Sequence, residues 1–215
     1  MSYRVKELFA TLQGEGAHAG RAAVFCRFSG CNLWSGREEH RATAVCRFCD
    51  TDFVGTDGPG GGVFDTAADL ASAVRSCWQE GFGPGGAPYV VCTGGEPLLQ
   101  LDSELVDRLH DAGVEVGIET NGTLPVPPGV DWVCLSPKAG TELAVDRADE
   151  LKVVVPQAED PTTWDHIEAT HRFVQPMADP DPAVTAANTD RALRFCREHP
   201  RWRLSVQTHK YLGIP

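Results

Sequence analysis

Several features are missing from this chain, and each absence excludes something. No apolar run approaches the roughly 18 residues that a membrane-spanning helix needs. The opening MSYRVKELFATLQ mixes charges and has no apolar core of the secretory kind, so a cytoplasmic location is expected. Lys and Arg do not cluster, and the formal net charge is −11. Nucleic acid and anionic membranes are therefore poor expectations, because phosphate contacts need concentrated positive charge. A small-molecule substrate or a basic partner protein fits better. No internal repeat or low-complexity segment interrupts the 215 residues, which suit one domain spanning 1–215.

A second close thiol pair is missing too. Of eight cysteines, only Cys46 and Cys49 form a C-x2-C pair, and Cys31 precedes them in a C-x14-C-x2-C pattern. Closed zinc sites normally offer two pairs. Three thiolates without a clear fourth partner suggest a centre with one open position, such as a 4Fe-4S cluster with one iron free. Structural zinc with His40 or another thiol as fourth ligand is an alternative, as are redox-active thiols. Cys26, Cys77, Cys92, Cys134 and Cys196 lie in apolar runs or on helix faces, where a thiol is usually a small core group. Without an export signal, all eight are expected to be reduced. The insert Asn32–Val45 carries Ser35 and Glu38 at capping-box spacing, ahead of the helix-compatible EEHRATAV. A short helix there would return the chain to its starting point.

Short apolar runs recur at Ala22–Phe28, Tyr89–Cys92, Val114–Glu119, Trp132–Leu135, Leu151–Val155, Phe173–Gln175 and Leu204–Val206. Several do not alternate strictly, as expected of parallel strands buried on both faces. Helical patterns fall at Thr66–Glu80, at Ser103–Ala112 with Ser103 as cap, at Pro161–Thr170 and at Thr189–Glu198. The alternation predicts an α/β fold, an open or partial βα barrel of about six βα units with a modified cluster-binding loop at 29–51. A doubly wound sheet is the alternative. Thr56–Gly62 and Gly81–Pro88 read as loops from their Gly and Pro content.

The three cysteines follow the first of these runs, with Phe48 between the last two, and CTGGEP (Cys92–Pro97) follows a strand. The pattern resembles the radical S-adenosylmethionine superfamily. It differs from the usual C-x3-C-x2-C by an insertion between the first two cysteines. Further segments narrow the resemblance to the 7-carboxy-7-deazaguanine synthases, among which the same long gap occurs. They are TLQGEG (11–16), FCRF (25–28), GCNLW (30–34), FCDT (48–51), ETNG (119–122), SPK (136–138), QPM (175–177) and HKYLGIP (209–215). The resemblance implies a radical lyase. It would convert 6-carboxy-5,6,7,8-tetrahydropterin to 7-carboxy-7-deazaguanine and ammonia by ring contraction, in queuosine-type 7-deazapurine biosynthesis. Its implied cofactors are a 4Fe-4S cluster on Cys31, Cys46 and Cys49, S-adenosylmethionine, and Mg2+ with Thr51 as ligand. Its implied partners are the carboxypterin, a reductant such as flavodoxin, and a second copy in a homodimer. An activase making a glycyl radical on a partner protein, or a non-catalytic metal or iron–sulfur module, would be the other readings.

The same resemblance assigns roles residue by residue. Phe48, Cys49, Asp50, Gly95, Glu96, Ser136, Pro137, Lys138, Gln175, Pro176, Met177 and Ala178 map onto S-adenosylmethionine contacts. Within CTGGEP, the motif binds the methionyl amino group, and Glu96 is suited to accept from an ammonium. Leu12, Gln13, Gly14, Glu15, Arg27, Thr93, His209 and Pro215 map onto substrate contacts, Pro215 through its main chain. Residues from about 205 to 215 would cap the substrate. Some roles also follow from residue chemistry. A guanidinium at Arg27 suits bidentate capture of a carboxylate. Glu15 suits the donor-rich edge of a pterin. Glu119, at a strand end, is a candidate to carry the proton moved during rearrangement, and is the one catalytic assignment.

Overall fold

A computed structural model of the chain describes residues 2–215; Met1 of the N-terminal segment lies outside them. Nine strands form one sheet in the order β3-β1-β2-β4-β5-β6-β7-β8-β9. They are β1 (Tyr3–Leu12), β2 (Ala22–Phe28), β3 (Gly62–Phe64), β4 (Tyr89–Gly94), β5 (Glu115–Thr120), β6 (Trp132–Leu135), β7 (Arg147–Val155), β8 (Glu168–Pro176) and β9 (Arg203–Leu204). From β2 to β9 every neighbouring pair is parallel, while β1 pairs antiparallel with both β2 and β3. Among the described residues β3 and β9 do not pair with each other, so the sheet is open.

The expected parallel sheet is present, but the expected helix after nearly every strand is not. The long helices are α1 (Ala67–Phe82), α2 (Ser103–Asp111) and α3 (Pro182–Glu198), with a one-turn α4 (Thr208–Leu212) near the end. The β5–β6 and β6–β7 connections are loops. The first contains Pro125, Pro127 and Pro128, which remove the donors a helix needs. Helix Pro161–Thr170 shrinks to a 3-10 turn, Pro161–Trp164, because β8 already begins at Glu168. In Glu168–His171, exposed and partly buried residues alternate, which is the strand period. Asp102, not Ser103, caps α2 by accepting from Leu105 N at 2.9 Å. Asp181 caps α3, and Pro182 at its first position extends it back from the expected Thr189. The long edge-side strand β1 carries too many charges to stand out in the sequence.

Strand alternation explains the layers. Val24, Cys26 and Phe28 of β2, Val116 and Ile118 of β5, and Leu151, Val153 and Val155 of β7 are buried in apolar clusters. One cluster includes Leu70, Val74 and Trp78 of α1 with Leu105 and Leu109 of α2; the other includes Ala192 and Phe195 of α3. The intervening residues Arg27, Thr93, Glu119 and Lys152 line a cavity on the opposite face. The helices cover one apolar face of the sheet, whereas the other face is polar and only partly buried, so the burial of both faces expected from the apolar runs is met on one face alone. Among the described residues no helix is long and apolar enough to cross a membrane.

The cluster loop joins the sheet through two glycines. Gly94, at φ +143°, ends β4 against the Phe28 backbone. A Cβ on Gly95 would overlap the Gly30 carbonyl and crowd the Cys31 side chain. Glu96 N donates to Gly30 O at 2.9 Å across the same contact. Gly95→Ala is expected to cost about 1–3 kcal/mol, as overpacking typically does, measured by urea denaturation. An unchanged unfolding midpoint would remove this account of the glycine pair.

Candidate active site

The inner face of the sheet opens into a cavity of about 490 Å³, within the usual range of roughly 300–1,000 Å³ for small-molecule sites. Its floor is made by Phe9, Phe25, Arg27, Thr93, Glu119, Lys152, Val154 and Gln175 from six strands. Its rim comes from the loops that follow them.

The cysteine loop closes one side. Its insert folds as a 3-10 segment, Glu38–Thr43, and returns as expected: Val45 N and Cys46 N both donate to Leu33 O, at 3.2 and 3.3 Å. The capping box does not form. Ser35 Oγ instead accepts from Arg37 N and meets His40 Nδ1 at 2.8 Å, while Glu38 pairs with Arg41. Arg41 is the lock of the loop. Its guanidinium lies 4.1 Å over the Trp34 ring, and its Nη1 donates to the carbonyls of Arg47 and Cys49. Trp34 in turn meets Phe53 edge-on.

Cys31, Cys46 and Cys49 all line the cavity as free thiols. Burial pushes the Cys31 and Cys46 thiols up, and Lys138 pulls Cys46 back in part. Among the described residues no three His, Cys, Asp or Glu side chains converge on a point where one ion would sit. A 4Fe-4S cluster needs no such point, since each thiolate takes a different iron. Three thiols around one cavity are the donor set such a cluster needs. The other five cysteines are buried or half-buried, and burial raises the pKa of each.

The TLQGEG turn closes the opposite side, strapped to the C-terminal segment. Thr208 donates to Gly14 O through both its N and its Oγ1, at 2.9 and 2.8 Å. The His209 ring occupies the space that a Cβ on Gly14 would fill. Thr11 Oγ1 donates to Pro215 O at 3.0 Å. Lys210 crosses to Asp50 of the cysteine loop at 2.8 Å. Between these walls, Lys152 Nζ lies 2.6 Å from Glu15 Oε2 and 2.8 Å from Glu119 Oε2. Gln13 Nε2 reaches the other Glu119 oxygen at 3.2 Å. Burial pushes the Glu15 carboxyl up, but Lys152 and Gln207 outweigh it and bring it down to about 2. Arg27 Nε pairs with Glu7 at 2.6 Å; among the described residues this is the only side-chain hydrogen bond of its guanidinium.

Nearly all the site residues expected from the sequence meet here. Leu12, Gln13, Gly14, Glu15, Arg27, Thr93, His209 and Pro215 line the cavity, as do Phe48, Cys49, Asp50, Thr51 and Gly95. Glu119, Ser136, Lys138, Gln175, Pro176, Met177 and Ala178 line it as well. Two do not. Glu96 is 0 % exposed and lies outside the lining. Its carboxylate accepts from Thr120 Oγ1, Asn121 N and Leu98 N at 2.7–3.1 Å, and so holds the end of β5. Pro137 is also outside the lining, and its carbonyl accepts from Gln157.

The sequence reading missed Lys152, Gln207 and Glu7. Lys152 left a signal, as the lone charge inside LKVVV. Gln207 and Glu7 left none, since each matters only through a partner distant in sequence.

No protein-family model matches the chain. Curated relatives do. It is 60% identical to the 7-carboxy-7-deazaguanine synthase of Bordetella pertussis over 216 aligned residues, and 59% identical to that of Nitratidesulfovibrio vulgaris, with 100% of both chains covered each time. Among solved structures it is similar to QueE from Escherichia coli, at a TM-score of 0.69 and 28% identity, covering 97% of this chain and 95% of that one. With identities of this size over the whole of each chain, the chain belongs to the 7-carboxy-7-deazaguanine synthase family.

Proposed function

We propose that this chain is a radical S-adenosylmethionine lyase that contracts the ring of 6-carboxy-5,6,7,8-tetrahydropterin to give 7-carboxy-7-deazaguanine and ammonia, in queuosine-type 7-deazapurine biosynthesis. Kinship carries the reaction, and the carrying structural observation is the convergence of three free thiols, Arg27, Glu15 and Glu119 on one cavity. When bound, the 4Fe-4S cluster and S-adenosylmethionine supply the one-electron chemistry that takes hydrogen from the substrate.

Cys31, Cys46 and Cys49 hold the cluster, with Arg41 fixing the arm that bears the last two. Phe48, Cys49, Asp50, Gly95, Ser136, Lys138 and Gln175–Ala178 form the S-adenosylmethionine side of the cavity. Leu12, Gln13 and Gly14 shape the turn under the substrate, Thr93 lies on the floor, and His209 with the Pro215 main chain covers it. Arg27 keeps its terminal nitrogens for the substrate carboxylate while Glu7 holds its Nε. Glu15, held ionised, accepts from the donor edge of the pterin. Glu119 carries the proton moved during rearrangement. Thr51 offers a hard oxygen to Mg2+, with the substrate supplying further oxygens, in keeping with the ion's preference for oxygen ligands shared with substrate.

The reading also includes one domain over residues 1–215, a sheet acting as a partial barrel, a cytoplasmic location, a homodimer and a one-electron donor such as flavodoxin. No observation favours a glycyl-radical activase or a non-catalytic module.

The deciding experiment is anaerobic turnover of reconstituted protein with dithionite, S-adenosylmethionine, Mg2+ and the carboxypterin. Formation of 7-carboxy-7-deazaguanine is expected; its absence in protein with full iron and sulfide would refute the assignment. Cys46→Ala should lose both the visible charge-transfer absorption and turnover. Arg27→Ala should raise the substrate KM on the order of a hundredfold, the loss expected for a charged, two-pronged contact. Abortive S-adenosylmethionine cleavage should persist in that variant. An unchanged KM would move the carboxylate site elsewhere.

A further inference from the structure

Lys152 is 3 % exposed, in the middle of β7, with its ammonium between two carboxylates from distant parts of the chain. Glu15 comes from the β1–β2 turn and Glu119 from β5. Each carboxylate spends its second oxygen on an amide: Gln207 Nε2 reaches Glu15 at 2.9 Å, and Gln13 Nε2 reaches Glu119 at 3.2 Å. Gln13 closes a ring by accepting from Glu15 N at 3.1 Å. We propose that Lys152 is a positioning residue that sets the charge of Glu15 and orients Glu15 and Glu119 together, so that substrate recognition and the placing of the proton carrier depend on one ammonium. The proposal deepens the functional reading above and rests on it for the identity of the substrate.

The physical reason is the cost of the alternatives. A buried ammonium is expensive and is tolerated only with close partners. Two carboxylates this near to one another, left without it, would resist ionising together, and one would keep a proton. The charged and titratable groups around Lys152 are Glu15, Glu119, Cys134 on β6, its strand neighbour Glu150, Lys138 and His209. Burial opposes the charge on Lys152, and the acids around it outweigh burial and hold its pKa well above the usual range. Burial raises the Glu150 carboxyl, and Lys152 lowers it in part. Glu15, the acid that would meet the donor edge of the substrate, is by contrast held low by Lys152.

The sign of the pH effect follows. Glu15 is depressed in the native protein, so its charge is present down to strongly acidic pH. Without Lys152 it titrates higher, and the charge is lost as pH falls through that new value.

The test uses the reconstituted holoenzyme and measures carboxypterin affinity against pH. Lys152→Met should weaken binding roughly tenfold or more at neutral pH and recover as pH rises, while Lys152→Arg stays within a few-fold of wild type. Infrared spectra of Lys152→Met should gain a protonated-carboxyl band at neutral pH that Glu15→Gln/Lys152→Met lacks. If the Met variant does not fold, Lys152→Gln, a donor without charge, must give the same shifts. An unchanged affinity and pH profile, or equal loss in Lys152→Arg at every pH, would overturn the proposal. Should wild-type holoenzyme fail to bind the carboxypterin, the functional reading falls, and the infrared band alone decides the role of Lys152.

Discussion

The contact between Lys152 and the two carboxylates Glu15 and Glu119 organises the interior of this protein. Three segments that are far apart in sequence meet at one nitrogen. Removing one member of a buried ion pair typically costs about 3–5 kcal/mol, because the remaining charges are left without compensation. The TLQGEG turn, the end of β5 and the middle of β7 are therefore not free to move independently. The strap formed by Gln207 and Thr208 extends the same constraint to the C-terminal segment. A cavity that must hold a reactive substrate away from water gains from walls fixed in this way.

The cysteine loop is built on a different principle. Its order comes from a cation over an aromatic ring, from backbone hydrogen bonds to Leu33, and from Arg41 reaching the carbonyls of Arg47 and Cys49. The loop meets the sheet where Gly94 and Gly95 have no side chains to keep it away. Glu96 completes the junction from below by fixing Thr120 and Asn121, and Asn121 Nδ2 donates to Asn32, next to Cys31. The glycine–glutamate motif thus supports the first cysteine from within the fold. Its backbone faces the cavity and its acid does not.

Much of this was legible beforehand. The apolar runs gave seven of the nine strands, because Val, Phe and Ile packed under the helices leave a local mark. The cysteine spacing and the short motifs marked much of the lining of the cavity, though not Lys152, Gln207 or Glu7. Where the reading failed, the signal was ambiguous. The charges of β1 hid a strand in which Glu7 is paired by Arg27 of β2 and Lys6 by loop residues Asp52 and Asp57. In Pro161–Thr170 a proline-led turn ran into a strand whose alternation is too short to outweigh it. Asp102 and Ser103 are both good capping residues, and only the turn geometry selects Asp102.

The sequence by itself determined the candidate donor set, the positions of most strands along the chain and the family, since thiols, glycine turns and apolar runs act locally and keep their meaning wherever the chain goes. Only the tertiary structure decided which inward-facing residues meet. Strand alternation tells which side of a strand Lys152 occupies, but not that Glu15 and Glu119 wait there. It also left open whether Glu96 turns toward a ligand or toward Asn121. Such outcomes depend on how neighbouring strands register and how the loops pack back onto them, and a side chain cannot signal a partner brought to it only by the fold.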